Sequence, residues 1–136
     1  QILNVGSTLG SIGYPGYTVY CASKFGLRGF TEALRRELLD AGIRVQYFAP
    51  RATSTALNSV SATEMNYALG NAVDLPETVA AAIVEMFVGG TRKQVFWGWP
   101  EKLFVRVNAV LPNVVDQTLA KQLSVIKKHA KDCASC

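Results

Sequence analysis

One histidine in 136 residues narrows the chemistry at once. His129 sits in a basic C-terminal stretch, a poor place from which a Ser-His-Asp hydrolase could recruit its base. Cysteine is nearly as scarce. Of the three, Cys21 reads as a small packing residue. Cys133 and Cys136 form a lone C-x-x-C at the extreme tail, without a second pair or a histidine at ligand spacing, so no metal site is expected. Charge of one sign is also thin: the net charge is +4, and the basic residues are scattered until the C-terminal stretch, which offers nucleic acid no patch. No apolar run reaches the roughly 18–20 residues that span a bilayer. The glycines that follow the first strand-like run, Gly6, Gly10, Gly13 and Gly16, miss the G-x-G spacing of a dinucleotide fingerprint, and their loop is long and holds Pro15.

What is present is the material of an α/β fold. A hydrophobic content of 49% against 18% charged residues argues for a packed core rather than disorder. Strand and helix patterns alternate, as in a parallel sheet. The reading gives a strand over Ile2 to Val5 and a helix from about Tyr17 to Asp40, stopped by Gly42. A second strand, Ile43 to Ala49, carries Val45, Tyr47 and Ala49 on one face and ends at Pro50. A polar stretch from Thr53 to about Asp74 precedes a second helix, with Asp74 placed to cap it and Pro76 suited to its first turn. That helix runs to about Val88 and repeats Val79, Ile83 and Phe87 at helical spacing. A third strand covers Gln94 to Trp97.

Within this frame Tyr20 and Lys24 stand four residues apart, on one face of the first helix. An ammonium beside a phenol stabilises the phenolate, so such a pair can exchange a proton with an alcohol oxygen. By itself the spacing is weak: with five tyrosines, a Lys four residues downstream of one arises by chance in roughly a quarter of chains of this size. Weight comes from the surroundings. The apolar run Ile2 to Val5 ends at Ser7, helix formers from Phe30 to Leu39 follow Lys24, and Ser7 could hydrogen-bond the same substrate oxygen. Function in an open α/β sheet gathers beyond the carboxyl ends of the strands, where Ser7 and the segment from Pro50 to Thr55 both fall, so Ser7, Tyr20, Lys24 and Thr53 are expected to converge.

The string Asn4-Val5-Gly6-Ser7, then Tyr20-Cys21-Ala22-Ser23-Lys24, then Phe48-Ala49-Pro50 followed by Thr55 resembles the short-chain dehydrogenase/reductase family. The resemblance implies the C-terminal half of a Rossmann-type doubly wound parallel sheet. It implies NAD or NADP as cofactor and a secondary alcohol or ketone as small-molecule substrate. Tyr20 would be the acid/base and Ser7 the group that polarises the carbonyl, while Lys24 would assist Tyr20 and hold the nicotinamide ribose. Tyr20, Lys24, Pro50, Arg51, Thr53 and Thr55 would contact the cofactor. Arg51 stands where the family usually has Gly, and it could meet a phosphate or the substrate instead. The family's glycine-rich fingerprint lies upstream of its serine strand, and this chain opens on Gln1 directly in a strand-like run, so a fragment is expected. A chain without the neighbouring strand would leave the edge at Ile2 to Val5 open to pairing or aggregation.

Three segments are expected: residues 1–99 as the catalytic half, 100–131 as a helical extension and 132–136 as a tail. In the extension, Pro100-Glu101-Lys102 starts a helix over Leu103 to Leu111, Pro112 interrupts it, and a further helix follows. There Val115, Leu119, Leu123 and Ile126 form one apolar stripe, opposite Lys121, Lys127, Lys128 and Lys131. Such a stripe serves core packing, a second subunit or a membrane surface. The stretch Ser54 to Asn71, with Met65, Tyr67 and Leu69, is either a substrate lid or a short surface helix packed on the core. The expected molecule is a cytoplasmic homo-oligomeric oxidoreductase, with peripheral membrane contact through its C-terminal helices as an option. The competing reading is an inactive half-domain that acts as an interaction module.

Overall fold

A computed structural model describes residues 1–56, 58–89 and 91–130; the expected tail at 132–136, with Cys133 and Cys136, lies outside the described residues, as does Lys131. Three parallel strands, β1 (Ile2–Val5), β2 (Val45–Ala49) and β3 (Gln94–Phe96), form one sheet in chain order. Ile2 pairs with Val45 and Tyr47 with Gln94. Parallel neighbours need long crossovers, and each here carries a helix. Helix α1 (Thr18–Glu37) joins β1 to β2; α2 (Val60–Ala68) and α3 (Pro76–Gly89) lie between β2 and β3; α4 (Glu101–Val110) and α5 (Pro112–Ala130) follow.

The central strand explains the layering. All five residues of β2 are buried, because helices cover a parallel sheet on both faces. The alternation expected for Val45, Tyr47 and Ala49 therefore holds only as a division between two interiors. On one side Phe48 packs with Val79, Ala82 and Met86 of α3, a burial worth about 1.5–3 kcal/mol for a side chain of this size. Gln46 is a polar residue at 0% exposure, and its amide is satisfied: it donates to the Met86 and Arg92 carbonyls at 3.3 and 2.9 Å and accepts from Gln1 at 2.7 Å.

Two expectations about α3 are corrected. Its inward stripe is Val79, Ala82, Ile83 and Met86, while Phe87 is 42% exposed; a face repeating every 3.6 residues drifts, and Met86 rather than Phe87 lands on the sheet. Asp74 does not supply the cap. Both its carboxylate oxygens accept from Arg51, and the Leu75 carbonyl takes the first amides of the helix, from Thr78 and Val79.

The C-terminal helices fold back on the sheet. Val105 of α4 and Val115 of α5 bury together with Ile12, against Phe96 and Leu119, and Ile126 is 1% exposed. Val115 and Ile126 of the α5 stripe are thus spent on packing, and among the described residues no helix is long and apolar enough to cross a membrane. Helix α2 lies against α5. Ser59 caps it by accepting from the Ala62 amide at 3.1 Å, and Met65 is buried while Tyr67 is 90% exposed. Of the two readings of this stretch, a packed surface helix fits that burial.

Candidate active site

Ser7 is placed by a turn, not by the strand itself. Its hydroxyl oxygen accepts from the Leu9 amide at 3.1 Å and so starts a single 3-10 turn over Thr8–Gly10. The Gly6 and Thr8 amides donate to the Phe48 and Pro50 carbonyls at 2.8 and 3.0 Å. These two bonds carry the pairing of β1 and β2 past the strand ends, and they set Ser7 beside the start of the Pro50 loop. The expected meeting of those two segments at the carboxyl edge is observed.

Tyr20 and Lys24 lie on successive turns of α1. The Lys24 ammonium stands 5.5 Å from the centre of the Tyr20 ring, within reach of a cation–π contact. Tyr20 is 41% exposed. Lys24 is half-buried and forms no ion pair among the described residues. Three rings lead up to this pair: Tyr14 meets Tyr17 edge-on at 6.0 Å, and Tyr17 meets Tyr20 at 6.1 Å. Burial pushes the Tyr14 phenol above the ordinary tyrosine range, with its bond to Asn71 pulling the other way. Beside this ladder lies an open cleft of about 460 Å³, lined by Gly13, Tyr14, Thr18 and Cys21 and, from α5, by Leu119 and Leu123.

In the Pro50 loop, Arg51 is engaged within the fold. Its Nε and Nη2 donate to the two Asp74 oxygens at 2.9 and 2.6 Å, and its Nη1 donates to the Trp99 carbonyl at 2.7 Å, with Glu101 3.6 Å away. The Asp74 bond raises the Arg51 pKa above its ordinary value; burial opposes this, and the charges of Asp74 and Glu101 add to it. A guanidinium held by a carboxylate fork has little left to offer a ligand. The Thr53 hydroxyl donates to the Arg51 carbonyl at 3.1 Å, and Thr55 donates to Asn58 at 3.3 Å. Of the carried-over cofactor positions, Tyr20 and Lys24 present uncommitted polar groups, whereas Arg51 is consumed by the fold.

Sequence reading missed two residues beneath Ser7. Tyr47 is 2% exposed and its phenol reaches the Ser7 backbone. Arg28 donates to Ser11 at 2.6 Å and stacks 5.4 Å from the Phe96 ring centre. Arg28 was findable, since it continues the Tyr20–Lys24 face by one further turn. Tyr47 was not, because only the folded sheet shows that Gly6 and Gly10 face it. A Cβ at Gly6 would overlap the Tyr47 ring, and one at Gly10 would stand 2.7 Å from its hydroxyl. Gly6→Ala is accordingly expected to lower stability by about 1–3 kcal/mol, the usual cost of overpacking, read by chemical denaturation. An unchanged midpoint would show that the ring is free to move.

The family model described as short chain dehydrogenase matches residues 1–66. The 3-oxoacyl-[acyl-carrier-protein] reductase FabG of Haemophilus influenzae is 37% identical over 89 residues, 59% of this chain and 37% of that protein. The 3-ketodihydrosphingosine reductase of Dictyostelium discoideum is 48% identical over 55 residues, 40% of this chain and 16% of that protein. The chain thus spans little more than a third of the first of these relatives and less of the second. Among solved structures, a short-chain dehydrogenase from Burkholderia cenocepacia, determined with NADP, superposes with a TM-score of 0.65 at 24% identity, over 86% of this chain and 46% of that one. One from Streptomyces avermitilis gives 0.63 at 22%, over 93% and 51%. At these identities the structures speak for the shared Rossmann-type fold. The family match falls on the stretch that carries Ser7, Tyr20 and Lys24, and over residues 1–66 this chain matches the short-chain dehydrogenase family.

Proposed function

We propose that the protein carrying this chain is an NAD(P)-dependent oxidoreductase that interconverts a secondary alcohol and a ketone, with Ser7, Tyr20 and Lys24 as its proton-transfer group. The observation that carries the reading is the half-buried Lys24 ammonium, without an ion pair among the described residues and 5.5 Å from the Tyr20 ring centre. A cation withdrawn in part from water without a carboxylate favours another partner that can engage it. A phenol on one side and a ribose hydroxyl on the other would do so, and the residues present therefore fit a nicotinamide cofactor at Tyr20 and Lys24. Bound NAD or NADP supplies the hydride chemistry.

In the reducing direction Ser7 donates a hydrogen bond to the carbonyl oxygen and polarises it. Tyr20 then passes its phenolic proton to that oxygen as negative charge develops there. Lys24 stabilises the charge left on the phenol oxygen. The Ser7 hydroxyl is free to donate in this way, because the Leu9 amide occupies it only as an acceptor. The cleft beside Thr18 and Cys21, with Leu119 and Leu123 on its far wall, supplies apolar surface for the rest of the substrate.

The test is spectroscopic. The complete protein should consume a dihydronicotinamide cofactor in the presence of a ketone, and the reverse should hold with the matching alcohol. Protein that binds the cofactor yet turns over no member of a broad ketone and alcohol panel would overturn the assignment. An inactive interaction module is the less favoured reading, since it leaves the Tyr20–Lys24 pair without a purpose.

A further inference from the structure

Below Ser7 the interior holds a polar group that proton transfer does not itself use. Tyr47 rises from the middle of β2 into a seat formed by Gly6 and Gly10, which leave no room for a Cβ next to its ring. From that seat its hydroxyl addresses one residue twice. The Ser7 amide donates to the phenol oxygen at 3.5 Å, and the phenol donates to the Ser7 carbonyl at 3.3 Å. Each contact is long, but together they meet the serine's peptide from both ends. The ring is held in turn by Phe96, edge-on at 6.5 Å, and Phe96 is covered by the Arg28 guanidinium.

We infer that Tyr47 is a positioning residue for the catalytic serine: it fixes the Ser7 backbone, and through it the direction in which the Ser7 hydroxyl points. The inference rests on the Ser–Tyr–Lys reading above. Its physical basis is that the Ser7 side chain has a single torsion between backbone and oxygen, so a rotation of the peptide is passed on to the hydroxyl in full. Ser7 is 8% exposed, and an amide there that loses its partner has no bulk water to turn to. Burial also keeps the Tyr47 phenol protonated well into the alkaline range, so it remains able to donate to the Ser7 carbonyl.

Tyr47→Phe keeps the ring in its seat and removes only the hydroxyl. In the complete protein this variant should lower kcat about ten- to a hundredfold, the scale on which small misplacements act. KM for the ketone and cofactor affinity should change little. Because Tyr47 acts through Ser7, adding Tyr47→Phe to Ser7→Ala should slow the enzyme no further. Amide hydrogen exchange at Ser7 should be faster in Tyr47→Phe, a change that a general loss of stability would spread over the whole sheet. Wild-type kcat in a folded Tyr47→Phe, or losses that multiply in the double variant, would overturn the role of Tyr47 alone. Full turnover by Tyr20→Phe would bring down the proton-transfer reading and the positioning role with it. Should Tyr47→Phe fold poorly, a fluorotyrosine at this position keeps both ring and hydroxyl but ionises at lower pH. Its kcat should then fall at a pH where the parent enzyme is unaffected, and a profile identical to the parent's would contradict the inference.

Discussion

Tyr20→Phe is expected to reduce turnover by about 10²–10⁴, equivalent to roughly 3–5 kcal/mol of transition-state stabilisation, while cofactor affinity and melting temperature stay close to those of the parent. The two halves of this expectation have separate origins. Removing the phenol oxygen removes the only group proposed to hand a proton to the substrate oxygen. The ring itself is retained, so its edge contact with Tyr17 and the approach of Lys24 survive. Tyr20 is 41% exposed, and substitutions at such positions usually move stability by no more than about 0.5 kcal/mol. Steady-state kinetics, cofactor titration and a thermal melt on one preparation check all three quantities. A large loss of kcat accompanied by an equally large loss of cofactor binding would mean that Tyr20 holds the cofactor rather than the proton.

The second large effect concerns Arg51, and it is an effect on the fold. The side chains of Arg51 and Asp74 are only 17% and 12% exposed, and the guanidinium joins three places that are far apart in sequence. It links the end of β2 to the segment leading into α3 through Asp74, and to the start of α4 through Trp99 and Glu101. Arg51→Ala should cost about 3 kcal/mol, the lower end of the range for breaking a buried pair, because the carboxylates of Asp74 and Glu101 lose their shared cation. Arg51→Lys should recover little, since a single ammonium cannot reproduce the two parallel bonds of the fork. Asp74→Ala combined with Arg51→Ala should cost less than the two single losses added together. Denaturant titration of the parent and the four variants decides it, and a loss below about 0.5 kcal/mol in Arg51→Ala would show that the pair carries no net stability. Gly98 is bound to the same feature. Its φ is +103° and a Cβ there would stand 2.5 Å from the Arg51 side chain, so backbone and neighbour both require glycine.

Much of this was legible beforehand, for identifiable reasons. β1, α1 and β3 appear close to where the apolar runs put them, although α1 ends at Glu37, short of the expected Asp40, and the Pro50 and Pro112 breaks at β2 and between α4 and α5 act locally. The Tyr20–Lys24 pairing follows from helical geometry alone. Apart from the drift of the α3 face at Phe87, what was not legible involves partners distant in sequence. Asp74 looks like a helix cap until Arg51, 23 residues away, proves the stronger claimant. Gln46 looks like the exposed face of a strand until the Met86 and Arg92 carbonyls are found waiting for it. Arg51 reads as a phosphate or substrate contact because it stands where the family usually has Gly, and only tertiary structure supplies its fork to Asp74. Tyr47 reads as sharing a strand face with Val45 and Ala49, yet its relation to Ser7 depends on the register that pairs Asn4 with Tyr47.

The Asn108 amide donates to the Ser11 carbonyl at 2.9 Å, across 97 residues of chain. Ser11 closes the turn that Ser7 opens, so this bond ties that turn to a helix synthesised long after it. Contacts of long sequence separation are slow to form, and the sheet itself pairs residues more than forty positions apart. The Ser7 turn is therefore finished late: it must wait, incomplete, for α4 to be synthesised and to dock. A nascent chain halted before Asn108 would carry Ser7, Tyr20 and Lys24 in covalent order without the brace that holds their turn shut.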